Sequence, residues 1–252
     1  NLMSLIIPAN TLSGGYEVDN SLQFNGSNDY LSRTFGTATS RKKWTLALWV
    51  KRNFINNNQP IAADSGSNNY MYFRNKASTG NGDFEIEQYS GGSNYKLTTS
   101  DEYIDTTIWY HFVIAFDTTL GTANDRMKIY VDGSQVTSFG QRTNPSLNFD
   151  TNWNNSGSRF LGREGGNYWN GKMSEIVFID GQQLAPTAFG EDDGGTWKPI
   201  EISSDNLTFG NNGFYLPFTN ADALGEDFSG NDNDFTTNNI ASGDQSTDTP
   251  TS

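Results

Sequence analysis

The 252-residue chain contains no cysteine and one histidine, His111. Neither a disulfide nor a thiolate metal site can hold such a fold together, and the composition suits assembly in a reducing cytoplasm. A single imidazole also excludes a multi-histidine metal centre. Bases are scarce: 16 Lys and Arg against 29 Asp and Glu give a net charge of −13 and a pI near 4.3. An anionic surface repels phosphate backbones, so nucleic acid is not an expected partner. No segment approaches the roughly 20 consecutive apolar residues of a membrane-spanning helix. Leu2 to Pro8 is apolar but lacks the basic start and cleavage site of a signal peptide, and it reads as a leading strand.

Hydrophobic residues reach only 34%, yet aromatics make up 13%, and there are 26 Gly and 30 Asn. Bulky rings fill a sandwich core with few residues, while Gly and Asn mark many turns and little helix. This length suits one large all-β domain. From Asp105 to Val136, Trp109, His111, Val113 and Ala115 alternate with Tyr110, Phe112, Ile114 and Phe116. Both faces are bulky, which places this strand between two apolar layers. Met127 to Val131 follows as a second strand closed by Asp132-Gly133, a strong hairpin signal because both central positions need positive φ. Trp44, Leu46, Leu48 and Val50 share one face of another strand. In Lys172 to Asp180, alternation puts Met173, Val177 and Ile179 on one face, with Ile176 and Phe178 opposite. Asn69 to Arg74 and Asp83 to Tyr89 read as middle strands. Asn53 to Asn58, Ser90 to Asn94 and Thr151 to Ser158 read as loops, and Leu184 to Gly190 as one helical turn.

Charge is unevenly placed. From Glu191 onward there are 12 acids and one base, a net of −11, whereas residues 1–190 hold 17 acids and 15 bases, a net of −2. The expected organisation is a sandwich over 1–200, an acidic extension over 201–240 and a linker or frayed tail over 241–252. Within the extension, Gly213 to Phe218 (GFYLPF) is strand-like: it is expected to return and pair beside the N-terminal strands, the alternative being that it opens a second module.

Five segments occur in a familiar order: SLQFNGSNDYLS (from Ser21), WTLALWVKR (from Trp44), WYHFVIAFD (from Trp109), KIYVDGSQV (from Lys128) and FLGREGGNYWNGKMSEIVFIDGQQL (from Phe160). Together they resemble the laminin-G-like, concanavalin A-like jelly-roll family, over about Tyr16 to Phe189. Their wording is especially similar to structural proteins of marine bacteriophages. The resemblance implies a two-sheet antiparallel jelly-roll sandwich and a non-enzymatic recognition or assembly module. Such modules often bind glycans and sometimes calcium.

Five groups of residues are candidates for chemistry. Asp83, Glu85 and Glu87 share a strand face and are similar to the E-x-D-x-E strand of laminarinase-type hydrolases. Two positions are swapped relative to that motif, and carboxyls four residues apart on a strand start far from the roughly 5–5.5 Å that retention requires. His111 occupies a family position that is usually a packed strand residue. Asp227, Asn231, Asp232 and Asp234, with Ser229, form a dense oxygen cluster that suggests Ca2+, although an Asx-rich turn explains the same residues. Glu191, Asp192 and Asp193 are a weaker cluster. Trp153, Arg163, Tyr168 and Trp169, with Tyr70 and Tyr72, lie in or beside Gly/Asn-rich segments, the mixture that stacks on sugar rings and bonds their hydroxyls. The leading expectation is therefore a glycan-binding module on a virion surface or tail, made in the host bacterial cytoplasm. The second is a decoration or assembly subunit contacting other virion subunits, as a homo-oligomer such as a trimer. A laminarinase-like hydrolase trails both.

Overall fold

The computed structural model describes residues 15–66, 68–76 and 80–252; the leading strand expected at Leu2 to Pro8 lies outside them. Among the described residues helix is confined to short 3-10 turns, one of them Pro186–Ala188 inside the expected helical turn. Two large antiparallel sheets make a sandwich. The first runs edge to edge through Ser134–Gln135, Met127–Val131, Tyr110–Asp117, Lys43–Arg52, Asn170–Asp180, Ser21–Asn25 and Gln245–Ser246, with Phe214–Leu216 also paired to Asn170–Asp180. The second runs through Phe139–Thr143, Ser93–Glu102, Gly80–Ser90, Asn69–Lys76, Gln59–Asp64, Gly157–Leu161, Tyr30–Phe35 and Thr236–Asn238.

Alternation decides which side chains meet between the sheets. Trp44, Leu46, Leu48 and Val50 point inward with Phe112, Ile114 and Phe116, and face Met71, Phe73, Phe84 and Ile86 of the second sheet. Trp44 stacks on Phe116 at 4.2 Å, and Phe84 meets Phe112 at 4.6 Å. The opposite face of the first sheet is apolar too. Ala47, Val113, Val177 and Ile179 are roofed by Phe189, Ile202, Phe209 and Tyr215, so the C-terminal part of the chain supplies a third layer. Asp132 and Gly133 take φ values of 46° and 77°, as a tight hairpin turn requires. A Cβ at Gly133 would meet the Trp197 ring at 2.4 Å, so only glycine fits beneath it.

Trp197 belongs to the hairpin formed by Gly190–Asp193 and Thr196–Pro199. Its Nε1–H donates to His111 Nδ1 at 2.9 Å, and Trp49 stacks on the imidazole at 4.7 Å from its other neighbour. Burial pushes the His111 pKa down to about 3, which keeps the ring neutral and able to accept. The histidine is a packed strand residue.

Strict alternation fails in the Asn170–Asp180 strand. Met173 packs with Ile176 and Phe178, not with Val177 and Ile179. The cause is a β-bulge: the register with Lys43–Arg52 shifts between Ser174 and Val177, and Glu175 takes a φ of 48°. Glu175 is buried, and its Oε2 accepts from the hydroxyls of Tyr215 (2.6 Å) and Tyr16 (3.2 Å). Desolvation outweighs those bonds and pushes its pKa up to about 7.

The last twelve residues are not a frayed tail. Gln245–Ser246 pairs with Ser21–Asn25 at the edge of the first sheet, and Thr236–Asn238 closes the second against Tyr30–Phe35. Asp248 accepts from Lys51 and Lys172, each at 3.0 Å, and from Trp109 Nε1 at 3.1 Å. Thr249 is buried, and Thr251 Oγ1 accepts from the Val18 amide. A polar, acidic composition suggested mobility because it carries little apolar area; charge-assisted bonds anchor the segment instead. Replacing Asp248 with Ala should therefore cost about 1–2 kcal/mol after solvent screening, seen as a lower urea midpoint with an unchanged far-ultraviolet spectrum.

Glu175 and His111 predict opposite pH slopes. Glu175 keeps its proton up to about pH 7 when folded, against an ordinary value of 4.5, so its contribution to stability declines as pH rises through that window. His111 charges below 6.5 when unfolded but stays neutral to about 3 when folded, so its contribution is lost as pH falls from 6.5 toward 3. In urea titrations from pH 4 to 8, Glu175→Gln should remove the decline above pH 4.5, and an unaltered decline would contradict the assignment.

Candidate functional site

The best-formed site grows from an irregularity in the Gln59–Asp64 strand. Pro60 has no N–H to offer the ladder, and the register with Asn69–Lys76 shifts between Pro60 and Ala62. Gln59 thereby sits at the strand's first position beside the Asn53 to Asn58 loop. Its side chain is 2% exposed, and its Oε1 has no donor. Gln59 lines a pocket of about 150 Å³ together with Phe54, Asn57, Asn58, Asn167, Tyr168 and Asn170. Phe54 is 40% exposed, so this pocket carries aromatic surface as well as amides.

Tyr168 comes from a small hairpin, Arg163–Glu164 with Asn167–Tyr168. The Arg163 guanidinium lies over three rings: Tyr30 at 4.7 Å, Phe160 at 5.1 Å and Tyr168 at 5.8 Å. Its Nε donates to Gly165 O at 3.2 Å. Two of the four glycan candidates, Arg163 and Tyr168, are thus brought together with half-exposed surfaces.

The other two are core residues. Trp153 is fully buried between Phe35 (6.0 Å) and Phe178 (6.5 Å), and Trp169 is fully buried against Phe73 (5.8 Å). Neither ring has a face left for a sugar. Gly171 makes the Trp169 position work, since a Cβ there would meet Lys51 O at 2.3 Å. Polar neighbours made both tryptophans look exposed, but those neighbours act as lids. Asn154 Nδ2, for instance, donates to the buried Asp180 carboxylate at 2.6 Å.

The loop around Trp153 does line a larger pocket, about 400 Å³, bounded by Asp64, Asn69, Tyr89, Asn152, Asn155 and Arg159. Tyr89 is 39% exposed there. Arg159 is buried, with its guanidinium donating to the carbonyls of Trp153, Ser158, Asn152 and Asn155; desolvation lowers its pKa to about 10. Sequence reasoning marked the Ser90 to Asn94 and Thr151 to Ser158 loops but not this pocket, because their meeting depends on pairing between distant strands.

The carboxylate strand carries a closed network. Phe84 and Ile86 are core, but Glu85 is buried as well, not solvent-facing. Glu85 accepts from Thr98 Oγ1 (2.7 Å), Arg74 Nη1 (2.8 Å), Lys96 Nζ (3.1 Å) and Tyr72 OH (3.1 Å). Glu87 accepts from Tyr70 OH, from Asn94 Nδ2 (2.6 Å) and from Lys96 Nζ (2.6 Å). Tyr70 and Tyr72 stack on each other at 4.5 Å, and burial first, then the carboxylates, hold both phenols well above their ordinary range as donors. These side chains are engaged with one another across three strands.

The acidic loop is likewise self-satisfied. Asp227 Oδ1 accepts from the amides of Tyr215 (2.8 Å) and Ser229 (2.9 Å), and Oδ2 from Ser229 Oγ (2.7 Å) and the Asn233 amide (2.8 Å). Asp234 Oδ1 accepts from the Asp227 amide at 2.8 Å, and Asn231 Nδ2 donates to Gly210 and Gly213 carbonyls. Asp232 occupies a left-handed turn position, with φ of 56°. These bonds build an Asx-rich turn, and among the described residues no three His, Cys, Asp or Glu side chains are grouped to hold an ion. Glu191, Asp192 and Asp193 project from an exposed hairpin. Asp227→Ala should destabilise the chain by about 3 kcal/mol, since it strands several buried amides. Melting temperature should not move between millimolar calcium and chelator; a rise with calcium would restore the cage.

No curated protein matches the sequence. Among solved structures, the chain is similar to a heptameric SAP-like pentraxin from Limulus polyphemus (20% identity, 67% of this chain and 78% of that one, TM-score 0.48). It is also similar to domain 4 of AbnA, a GH43 extracellular arabinanase from Geobacillus stearothermophilus solved with arabinotriose (16%, 66% and 73%, 0.46). A third is domains LG4-5 of the mouse laminin alpha1 chain (14%, 75% and 46%, 0.46). A family profile matches residues 25–186, which take in most of both sheets and the Arg163–Tyr168 hairpin: the chain belongs to the concanavalin A-like lectin/glucanases superfamily.

Proposed function

We propose that this chain is a non-catalytic glycan-recognition module that seats a sugar in the pocket between Gln59 and Tyr168. The observation that carries the reading is the donorless side-chain carbonyl of Gln59, buried in the wall of an amide-lined pocket with aromatic surface on its rim. A buried acceptor without a partner is costly, and the Gln59 side chain relieves that cost by turning its amide toward a hydroxyl bound in the pocket. Sugars offer many hydroxyls for Asn and Gln amides, and flat C–H faces for the Tyr168 and Phe54 rings. The engaged carboxylates on the Gly80–Ser90 strand support a role without chemistry. The sequence resemblance to structural proteins of marine bacteriophages supports the finer proposal that the module is displayed on a virion surface or tail, where it meets other virion subunits.

A microarray of bacterial surface polysaccharides and their fragments tests this reading. The chain should bind at least one glycan class, and Gln59→Ala and Tyr168→Ala should each weaken that binding about tenfold or more while melting temperature holds within a few degrees. No binding on the array, together with capture of other virion proteins, would point to an assembly subunit. Reducing-end release from β-glucans that Glu87→Gln abolishes would point to a hydrolase.

A further inference from the structure

The 400 Å³ pocket shares no lining residue with the Gln59 pocket. Three turns enclose it, contributing Asp64 to Asn69, Tyr89 to Gly91 and Asn152 to Arg159. Gln59 and Asp64 are the first and last residues of one strand, and each lines a different pocket. Five steps of about 3.3 Å part them, roughly 17 Å in all, which is further than one sugar ring reaches. The pockets are separate.

Both charged residues of the larger pocket are engaged with the protein. Asp64 accepts from the amides of Asn68 (3.1 Å) and Asn69 (3.4 Å) and from Asn69 Nδ2 (2.5 Å). The buried Arg159 guanidinium donates to four carbonyls at 2.6–2.9 Å. An anion would therefore meet no cation directed at it, in a chain of net charge −13. The uncharged groups are the ones left over. The hydroxyls of Ser65, Ser90 and Ser156, the Asn68 amide and Asn155 Nδ2 bond to no described residue, and the Tyr89 ring beside them is 39% exposed. Donors and acceptors mixed next to a ring face suit a neutral polyhydroxyl. The volume also falls within the roughly 300–1,000 Å³ that small-molecule sites occupy.

We infer that this pocket is a second sugar site, independent of the first, so that the module is bivalent and seats an uncharged sugar at each end of the Gln59–Asp64 strand. This rests on the glycan reading of the Gln59 pocket and adds a second site to it. The strand is hydrogen-bonded on both sides, which keeps the two sites at a fixed separation. On a surface dense in glycans, binding at one end raises the local concentration of sugar at the other.

Nuclear magnetic resonance titration of the intact 15N-labelled chain tests the inference, using methyl glycosides of the common hexoses, pentoses, deoxyhexoses and N-acetylhexosamines. Two groups of amides should shift, each with its own Kd: one around Gly91, Asn155 and Gly157, the other around Asn58, Gln59 and Asn167. Tyr89→Ala should raise the first Kd about tenfold and leave the second and the melting temperature unchanged. Ser156→Trp, at another exposed position, should do the same by filling the pocket, and Gln59→Ala should show the reverse pattern. On a sensor surface densely coated with the bound glycoside, either variant should dissociate at least about tenfold faster than the parent. Shifts confined to the Gln59 group would overturn the second site while leaving the glycan reading intact. Absence of shifts in both groups would overturn both.

Discussion

The Tyr110–Asp117 strand is buried along its whole length on both faces, and a strand of that kind has to be covered twice. One cover is the second sheet, reached through Phe112, Ile114 and Phe116. The other comes from residues beyond Asp180, which fold back as an irregular third layer. Phe189, Ile202, Phe209 and Tyr215 supply its apolar contacts, and Trp197 fits over His111 and Gly133.

Strand periodicity was legible wherever the backbone stays regular. The faces of Lys43–Arg52 and Tyr110–Asp117 follow their alternation residue for residue, and the Asp132-Gly133 turn falls where its dipeptide places it. What alternation could not show is the bulge at Glu175, since inserting one residue in left-handed geometry leaves no mark in the hydrophobic pattern. The C-terminal segment was misread for a related reason. Its anchors are Asp248, Thr249 and Thr251, residues that composition alone associates with mobility, and their partners lie at Lys51, Lys172, Trp109 and Val18.

The candidate site was half legible, and asparagine is the reason. Its amide builds turns, covers core tryptophans and lines pockets with equal ease, so an Asn-rich loop beside an aromatic residue has three structural outcomes. At Trp153 the amides close over the ring. At Tyr168 they stand around it and leave a pocket. The distinguishing signal lies in what the strand pairing brings opposite: the Phe35 and Phe178 rings at Trp153, and the Pro60 irregularity with Gln59 at Tyr168. Neither is local in sequence.

The same dependence on pairing explains why the proposed site needs little ordering to bind. Gln59 and Asp64 are the two ends of one strand hydrogen-bonded on both sides, by Asn69–Lys76 and by Gly157–Leu161. Arg163 is fixed over its rings by the hairpin that follows, and Arg159 is fixed by the carbonyls of the Trp153 loop. Loops supply the amides, but paired backbone sets the spacing between the pockets. A ligand therefore meets most of its polar partners already placed, and the cost of association falls mainly on ordering the ligand itself.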